Sequence, residues 1–272
     1  MATNIEACAR RLKRLRKVAN HVDANLDKSL SLDDLADIAH LSRFHFERVF
    51  ADYSGETPVA RVRRLRLEVA RRRIEAGQAG SMLDLAFDSG YGSAEAFSRA
   101  FSACHGLPPS RVRPKERQPT PIRIERIGSV PIQFVPFKGQ LGSSIAPFDE
   151  LRAHALIAGI PRERRKGWCV QFSGDLGKTA GEVELQAALL SERLGQKVPG
   201  LHEGYLPAGD YAVLRVEGSF AAPDEAELAC RVEHDTGRRL LAGAPRLRCF
   251  NNACYLPADF ERQFDLYLPL SA

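Results

Sequence analysis

A chain of 272 residues is too long for one small module and long enough for two domains with separate cores. Its 44% hydrophobic and 27% charged content excludes a wholly disordered, collagenous or coiled-coil chain, and it holds no apolar run of bilayer-spanning length. The formal charge of +5 is uneven: residues 1–117 carry a net +6 and residues 118–272 a net −1. The basic excess therefore belongs to the first part, where a polyanion is held by release of its counterions.

The opening Met1–Glu6 leads into basic, helix-like sequence rather than an apolar signal core, so a cytoplasmic protein that makes no membrane contact is expected. The cysteines Cys8, Cys104, Cys169, Cys230, Cys249 and Cys254 include no C-x-x-C and no partner histidines at zinc spacing. Reduced thiols are expected, with no metal site, cofactor or catalytic residue.

Residues 35–58 repeat as 85–109. Leu35-Ala36 overlies Leu85-Ala86; one residue is then added, and Ser42, Phe46, Arg48, Phe50, Gly55 and Pro58 overlie Ser93, Phe97, Arg99, Phe101, Gly106 and Pro109. Each copy reads as two short amphipathic helices joined by a tight turn. Ser31, Ser42 and Ser93 offer N-cap oxygens, Gly90 permits a positive φ in the second turn, and Gly55 and Gly106 stop the second helices. Between the copies, Thr57 to about Ala76 reads as one helix with two apolar stripes, Val62-Leu65-Val69 and Leu67-Ala70-Ile74. A helix apolar on two sides is packed from two sides. At about 1.5 Å per residue it spans near 30 Å, close to the roughly 34 Å between successive major grooves on one face of B-DNA. The cluster Arg61, Arg63, Arg64, Arg66, Arg71, Arg72 and Arg73 on this helix reads either as phosphate contacts at its ends or as a solvated face.

This arrangement strongly resembles the DNA-binding domain of AraC/XylS-type bacterial transcription regulators, over about residues 8–113. The resemblance rests on Leu85-Ala86, Gly90-Tyr91, Phe97-Ser98-Arg99-Ala100-Phe101 and Gly106-Leu107-Pro108-Pro109, with Arg113 closing the motif. It implies base-reading positions at Phe44, Glu47 and Arg48 in the first recognition helix and at Ala94, Glu95, Ala96 and Arg99 in the second. Side-chain chemistry fits: Arg48 and Arg99 suit guanine, Glu47 or Glu95 a cytosine amine, and Ala94 or Ala96 a thymine methyl. The competing assignment makes them ordinary exposed helix residues, with the arginines on phosphates or in internal salt bridges. Phe46, Phe50, Phe97 and Phe101 are assigned to core.

Residues 108–121 carry five prolines without an apolar period, and 114–121 is taken as the linker. Beyond it the pattern changes to strands: Ile122–Ile127, Val130–Phe137, Trp168–Phe172, Val183–Ala187, Asp210–Val216 and Phe264–Leu268, with helices at about 146–159 and 223–242. The expected fold is multidomain, an all-α double helix-turn-helix domain followed by an α+β domain of two pseudo-symmetric strand-helix-strand-strand repeats.

Residues 122–270 resemble the GyrI-like effector-binding domain through Leu206–Val213, Glu217-Gly218-Ser219 and Asp265–Leu270. That resemblance implies a small organic ligand in a groove between the repeats, where many members carry a glutamate that meets cationic ligands. Here Arg248 stands at that position and Phe250 at the aromatic one two residues on, with the strand register open to a shift of one. A buried cation favours an anionic or neutral aromatic effector. Trp168, Phe172, Tyr205 and Phe250 are candidate groove walls, or ordinary core.

The function expected is a sequence-specific transcriptional regulator, an activator or repressor, that binds promoter DNA, is biased by a small molecule, and meets RNA polymerase by family resemblance. Two alternatives stay open: a ligand-independent regulator whose second domain recruits a protein partner, and a small-molecule hydrolase.

Overall fold

The computed structural model describes residues 2–113, 120–140, 145–173, 181–217, 225–250 and 263–271. Residues 114–119 of the expected linker, and Gly218 and Ser219, lie outside them. The chain divides into two compact units, Arg14–Pro119 and Met1–Lys13 with Thr120–Ala272, the division falling within the first helix. Among the described residues, no helix is long and apolar enough to cross a membrane.

The helical unit runs α1 (Ala2–Ala24), α2 (Leu32–Ala39), α3 (Arg43–Ser54), α4 (Pro58–Glu75), α5 (Met82–Asp88) and α6 (Ala94–His105). Its boundaries follow local chemistry. The Ser31 hydroxyl accepts from the Asp34 amide at 3.1 Å to start α2, and Ser81 and Asp84 form a reciprocal capping box on α5. Thr57 caps α4 with Pro58 in its first turn. Ser93 caps α6 through the Ala96 amide at 3.2 Å, whereas Ser42, at the matching position before α3, makes no side-chain cap bond. The turns differ in residue but not in conformation: His40 takes φ 53° after α2, and Gly90 takes φ 80° after α5.

Helix α4 is buried on two sides, as its stripes require. Leu67 and Ala70, with Ile74 partly buried, join Leu85, Ala86, Phe97, Ala100 and Phe101 in the core of the second motif. Val62 and Leu65 are buried too, and α4 packs against α3, where Phe46 and Phe50 are fully enclosed with ring centroids 5.4 Å apart.

The second unit is an eight-stranded antiparallel sheet of β1 (Arg123–Ile127), β2 (Val130–Gln140), β3 (Gly167–Ser173), β4 (Glu182–Leu190), β5 (His202–Leu206), β6 (Gly209–Glu217), β7 (Arg246–Phe250) and β8 (Gln263–Pro269). Helices α7 (Ala146–Ile157), the short α8 (Ser191–Leu194) and α9 (Glu225–Thr236) accompany it. The spatial order is β1-β6-β8-β7-β3-β4-β2-β5. Only Gly128 and Ser129 join β1 to β2, and only Pro207 and Ala208 join β5 to β6. In a flat sheet each link would cross six strand spacings, about 29 Å at roughly 4.8 Å each, far beyond the reach of two residues. The sheet therefore curls until its ends meet. Its inner face buries Ile132, Trp168, Val170, Leu206, Tyr211, Val213, Leu247, Cys249 and Tyr267 with no helical residue among them. The outer face is covered by helices, with Leu151 and Ala155 of α7 packed among Val135, Ala187 and Leu189, and Leu228 and Val232 of α9 among Leu214, Phe264 and Leu266.

Two expectations shift. The strand β5 was not anticipated, and α9 ends at Thr236 rather than near 242, because Gly237 turns out at φ 69° and donates to the Glu233 carbonyl at 2.9 Å. Phe97→Ala should cost about 3–5 kcal/mol in the unfolding of the helical unit, since it empties the shared core of α4, α5 and α6. Urea denaturation followed by helical circular dichroism checks this, and a loss under about 1 kcal/mol contradicts the packing described.

Candidate nucleic-acid interface

Helices α3 and α6 turn their phenylalanines inward and a polar face outward. Phe44 is 86% exposed at the start of α3, Arg48 one turn on is exposed, and Glu47 is half-buried. On α6, Glu95 and Arg99 are exposed, while Ala94 and Ala96 are half-buried. The spacing of four residues puts Phe44 with Arg48, and Glu95 with Arg99, on one face each. The Glu95 carboxyl is held below the usual carboxylate range by its own backbone N–H and then by the Ser93 hydroxyl at the helix start, which keeps it a charged acceptor.

The arginines of α4 range from buried to exposed positions, most of them paired within the domain. Arg61 is 2% exposed, with Asp23 at 3.3 Å and Glu56 at 3.6 Å. Arg64 donates to both oxygens of Glu56, at 2.7 and 2.9 Å. Arg71 meets Glu75, Arg72 meets Glu68, and Arg73 meets Asp88 of the second motif. Arg63 donates to the Tyr91 hydroxyl at 3.0 Å, with its guanidinium 5.9 Å from that ring. Many guanidiniums of α4 are thus engaged within the domain, because a helix packed on two sides carries its charged residues into reach of neighbouring carboxylates.

In the sheet unit the pleat separates residues expected in one groove. Cys169 pairs with Arg248 across β3 and β7, and Trp168 with Cys249, so Trp168 and Arg248 lie on opposite faces. Trp168 is 8% exposed on the inner face, its ring 5.4 Å from Tyr267 and its indole N–H without a hydrogen-bond partner. Tyr205, 65% exposed on the edge strand β5, is four strands from β7. Phe172, 43% exposed, falls where the β3–β4 register slips between Gln171 and Ser173.

Arg248 faces the helix-covered side and is 2% exposed. It donates to Gln171 Oε1 at 2.8 Å and lies 5.8 Å from the Phe264 ring. Phe250 shares that side, edge-on to Phe148 of α7 at 5.6 Å. Burial pushes the neighbouring Cys169 thiol up to about 11, against the opposing pull of Arg248. Gln171, Cys169, Phe264 and Phe148 were absent from the sequence expectations, because cross-strand neighbours depend on which strands pair. Among the described residues, no group of three metal-binding side chains comes together.

Residues 35–115 match the family described as "Helix-turn-helix domain". Over 91 residues the chain is 35% identical to "RCS-specific HTH-type transcriptional activator RclR" of Escherichia coli, a match covering 34% of this chain and 32% of that one. It is 35% identical over 92 residues to a "Putative AraC-like transcription regulator" of Streptomyces lividans, covering 34% and 30%. Residues 35–115 are an AraC-type helix-turn-helix domain. The matches span about a third of these curated relatives. A crystal structure of an AraC-type DNA-binding protein from Chromobacterium violaceum is 28% identical, covering 37% of this chain and 89% of that one with a TM-score of 0.35.

Replacing Arg61 by methionine should destabilise this AraC-type domain by roughly 1–3 kcal/mol, since it removes the buried guanidinium that Asp23 and Glu56 both face. The salt dependence of DNA binding should stay at the wild-type slope. A slope reduced by about one unit, with unchanged stability, would place Arg61 on a phosphate instead.

Proposed function

We propose that this protein is a DNA-binding transcriptional regulator that reads promoter DNA through α3 and α6 and is biased by a small organic effector held by residues 122–270. The observation that carries the reading is the pair of exposed faces, Phe44 with Arg48 and Glu95 with Arg99, presented by α3 and α6, which both pack on one two-sided strut. In this reading Phe44, Glu47, Arg48, Ala94, Glu95, Ala96 and Arg99 meet bases, residues 8–113 form the DNA-binding domain, and RNA polymerase is the downstream partner. Arg48→Ala and Arg99→Ala should each relax selectivity at a different base pair, about one helical turn apart, at roughly 1–3 kcal/mol each. Affinity measured on a randomised duplex library tests this. Uniform weakening on all sequences assigns both arginines to phosphates.

The strand order supports the repeat architecture: β1-β6-β8-β7 read from one edge corresponds to β5-β2-β4-β3 read from the other, each half holding one strand-helix-strand-strand unit. For the effector, the buried Arg248 beside Gln171 and the rings of Phe264 and Phe250 supports a preference for anionic or neutral aromatic compounds over lipophilic cations. An aromatic carboxylate should raise the melting temperature of the full chain, and a tetraarylphosphonium should not. Stabilisation by the cation alone would remove Arg248 from the effector site.

A further inference from the structure

On α4, the Arg66 guanidinium reaches both the segment leading into the first motif and the turn of the second. Arg66 Nε donates to the Leu26 carbonyl at 2.8 Å, and its Nη2 donates to the Lys28 carbonyl at 2.6 Å. Both carbonyls belong to the segment joining α1 to α2, immediately before the first motif. Its third nitrogen, Nη1, lies against the turn of the second motif, where a Cβ at Gly90 would come within 2.7 Å of it. Gly90 holds φ 80°, where a side chain is strained, and a Cβ there would displace the Arg66 guanidinium.

The surroundings show why the contact matters. Leu30, Leu32 and Leu35 of the first motif, Pro58, Val59, Val62, Arg63 and Arg66 of α4, and Ser89, Gly90 and Tyr91 of the second line an open cleft of about 230 Å³. Packing between the motifs is therefore incomplete along this seam. Elsewhere on α4, Arg61 and Arg64 hold the first motif's Glu56, while Arg63 and Arg73 hold Tyr91 and Asp88 of the second. A fork with a fixed planar geometry spans the seam where apolar contact does not, and lysine, with a single ammonium, cannot occupy three directions in one plane.

We propose that Arg66, seated against Gly90, is a positioning residue that fixes the separation and rotation of the two recognition helices and so determines which half-site spacing the protein accepts. The inference rests on the reading of α3 and α6 as DNA-reading helices. It assigns Arg66 no contact with DNA.

The test uses the full chain and a duplex carrying both half-sites as selected by the wild type, together with duplexes in which one or two base pairs are inserted or removed between them. Arg66→Lys keeps the charge, and Gly90→Ala keeps the arginine but displaces it. Both variants should lose about tenfold in affinity for the selected spacing, while their affinity for altered spacings changes little, so the spacing preference flattens. Thermal melting reports folding separately, and the ratio of affinities between spacings is internal to each variant, so a modest loss of stability does not imitate the result. If Arg66→Lys keeps the wild-type preference, or if both variants weaken every duplex equally, Arg66 acts as a phosphate contact or as general support and the proposal fails. A wild type that binds no duplex, or binds all spacings alike, instead overturns the two-helix reading on which it rests.

Discussion

The helical unit depends on the two-sided burial of α4. A helix with a single apolar stripe is satisfied by one neighbour; the second stripe, Leu67, Ala70 and Ile74, demands another, and the repeat supplies it. That constraint also places the charges. Arginines on a helix with so little free surface must find acceptors at once, and here they find Glu56, Glu68, Glu75, Asp88 and backbone carbonyls. Burying Arg61 without Asp23 and Glu56 is far costlier than burying it with them. These pairs leave the net +6 of residues 1–117 unchanged but occupy guanidiniums of α4, so exposed positions such as Arg48 and Arg99 are among the arginines left for the proposed recognition.

In the sheet unit the corresponding constraint is covalent. Two links of two residues each tie opposite ends of an eight-stranded sheet, and the resulting curl makes an inner face that, among the described residues, buries strand side chains alone, and an outer face beneath α7 and α9. Side chains on a strand alternate between faces. Trp168 and Tyr267 accordingly fill the inner core, and Arg248, Gln171 and Phe250 belong to the helical side. The polar ends of the inner face are satisfied by charge pairing: Asp265 accepts from Arg215 at 3.0 and 3.2 Å and has Arg123 at 3.4 Å.

What was legible in the sequence was local. The duplicated Ser, Phe and Gly pattern fixed the positions of α2, α3, α5 and α6, because caps, turns and helical periodicity are written within a few residues. Even there the pattern overreached: Ser42 matches Ser93 in the repeat but makes no side-chain cap bond. The stripes of α4 were readable for the same reason, whereas the partners of its arginines were not, since Asp23 and Asp88 lie 38 and 15 residues from the arginines they meet. The groove suffered most. Its residues were chosen by type along the chain, but Trp168, Tyr205 and Arg248 are sorted by pleat and strand order, and neither can be read before the topology is known. The strand β5 escaped because His202, Glu203 and Tyr205 lie exposed at a sheet edge and leave no hydrophobic alternation to see.

In the proposed function, one chain places two recognition helices in successive major grooves through the two-sided strut α4. Hydroxyl-radical footprinting of the full chain on its selected duplex, with stoichiometry fixed by sedimentation, tests it most directly. One protein per duplex is expected, with two protected patches on the same face, about one helical turn apart and unrelated by a twofold axis. A single protected patch per monomer, or a symmetric pair that appears only with two proteins bound, would contradict it.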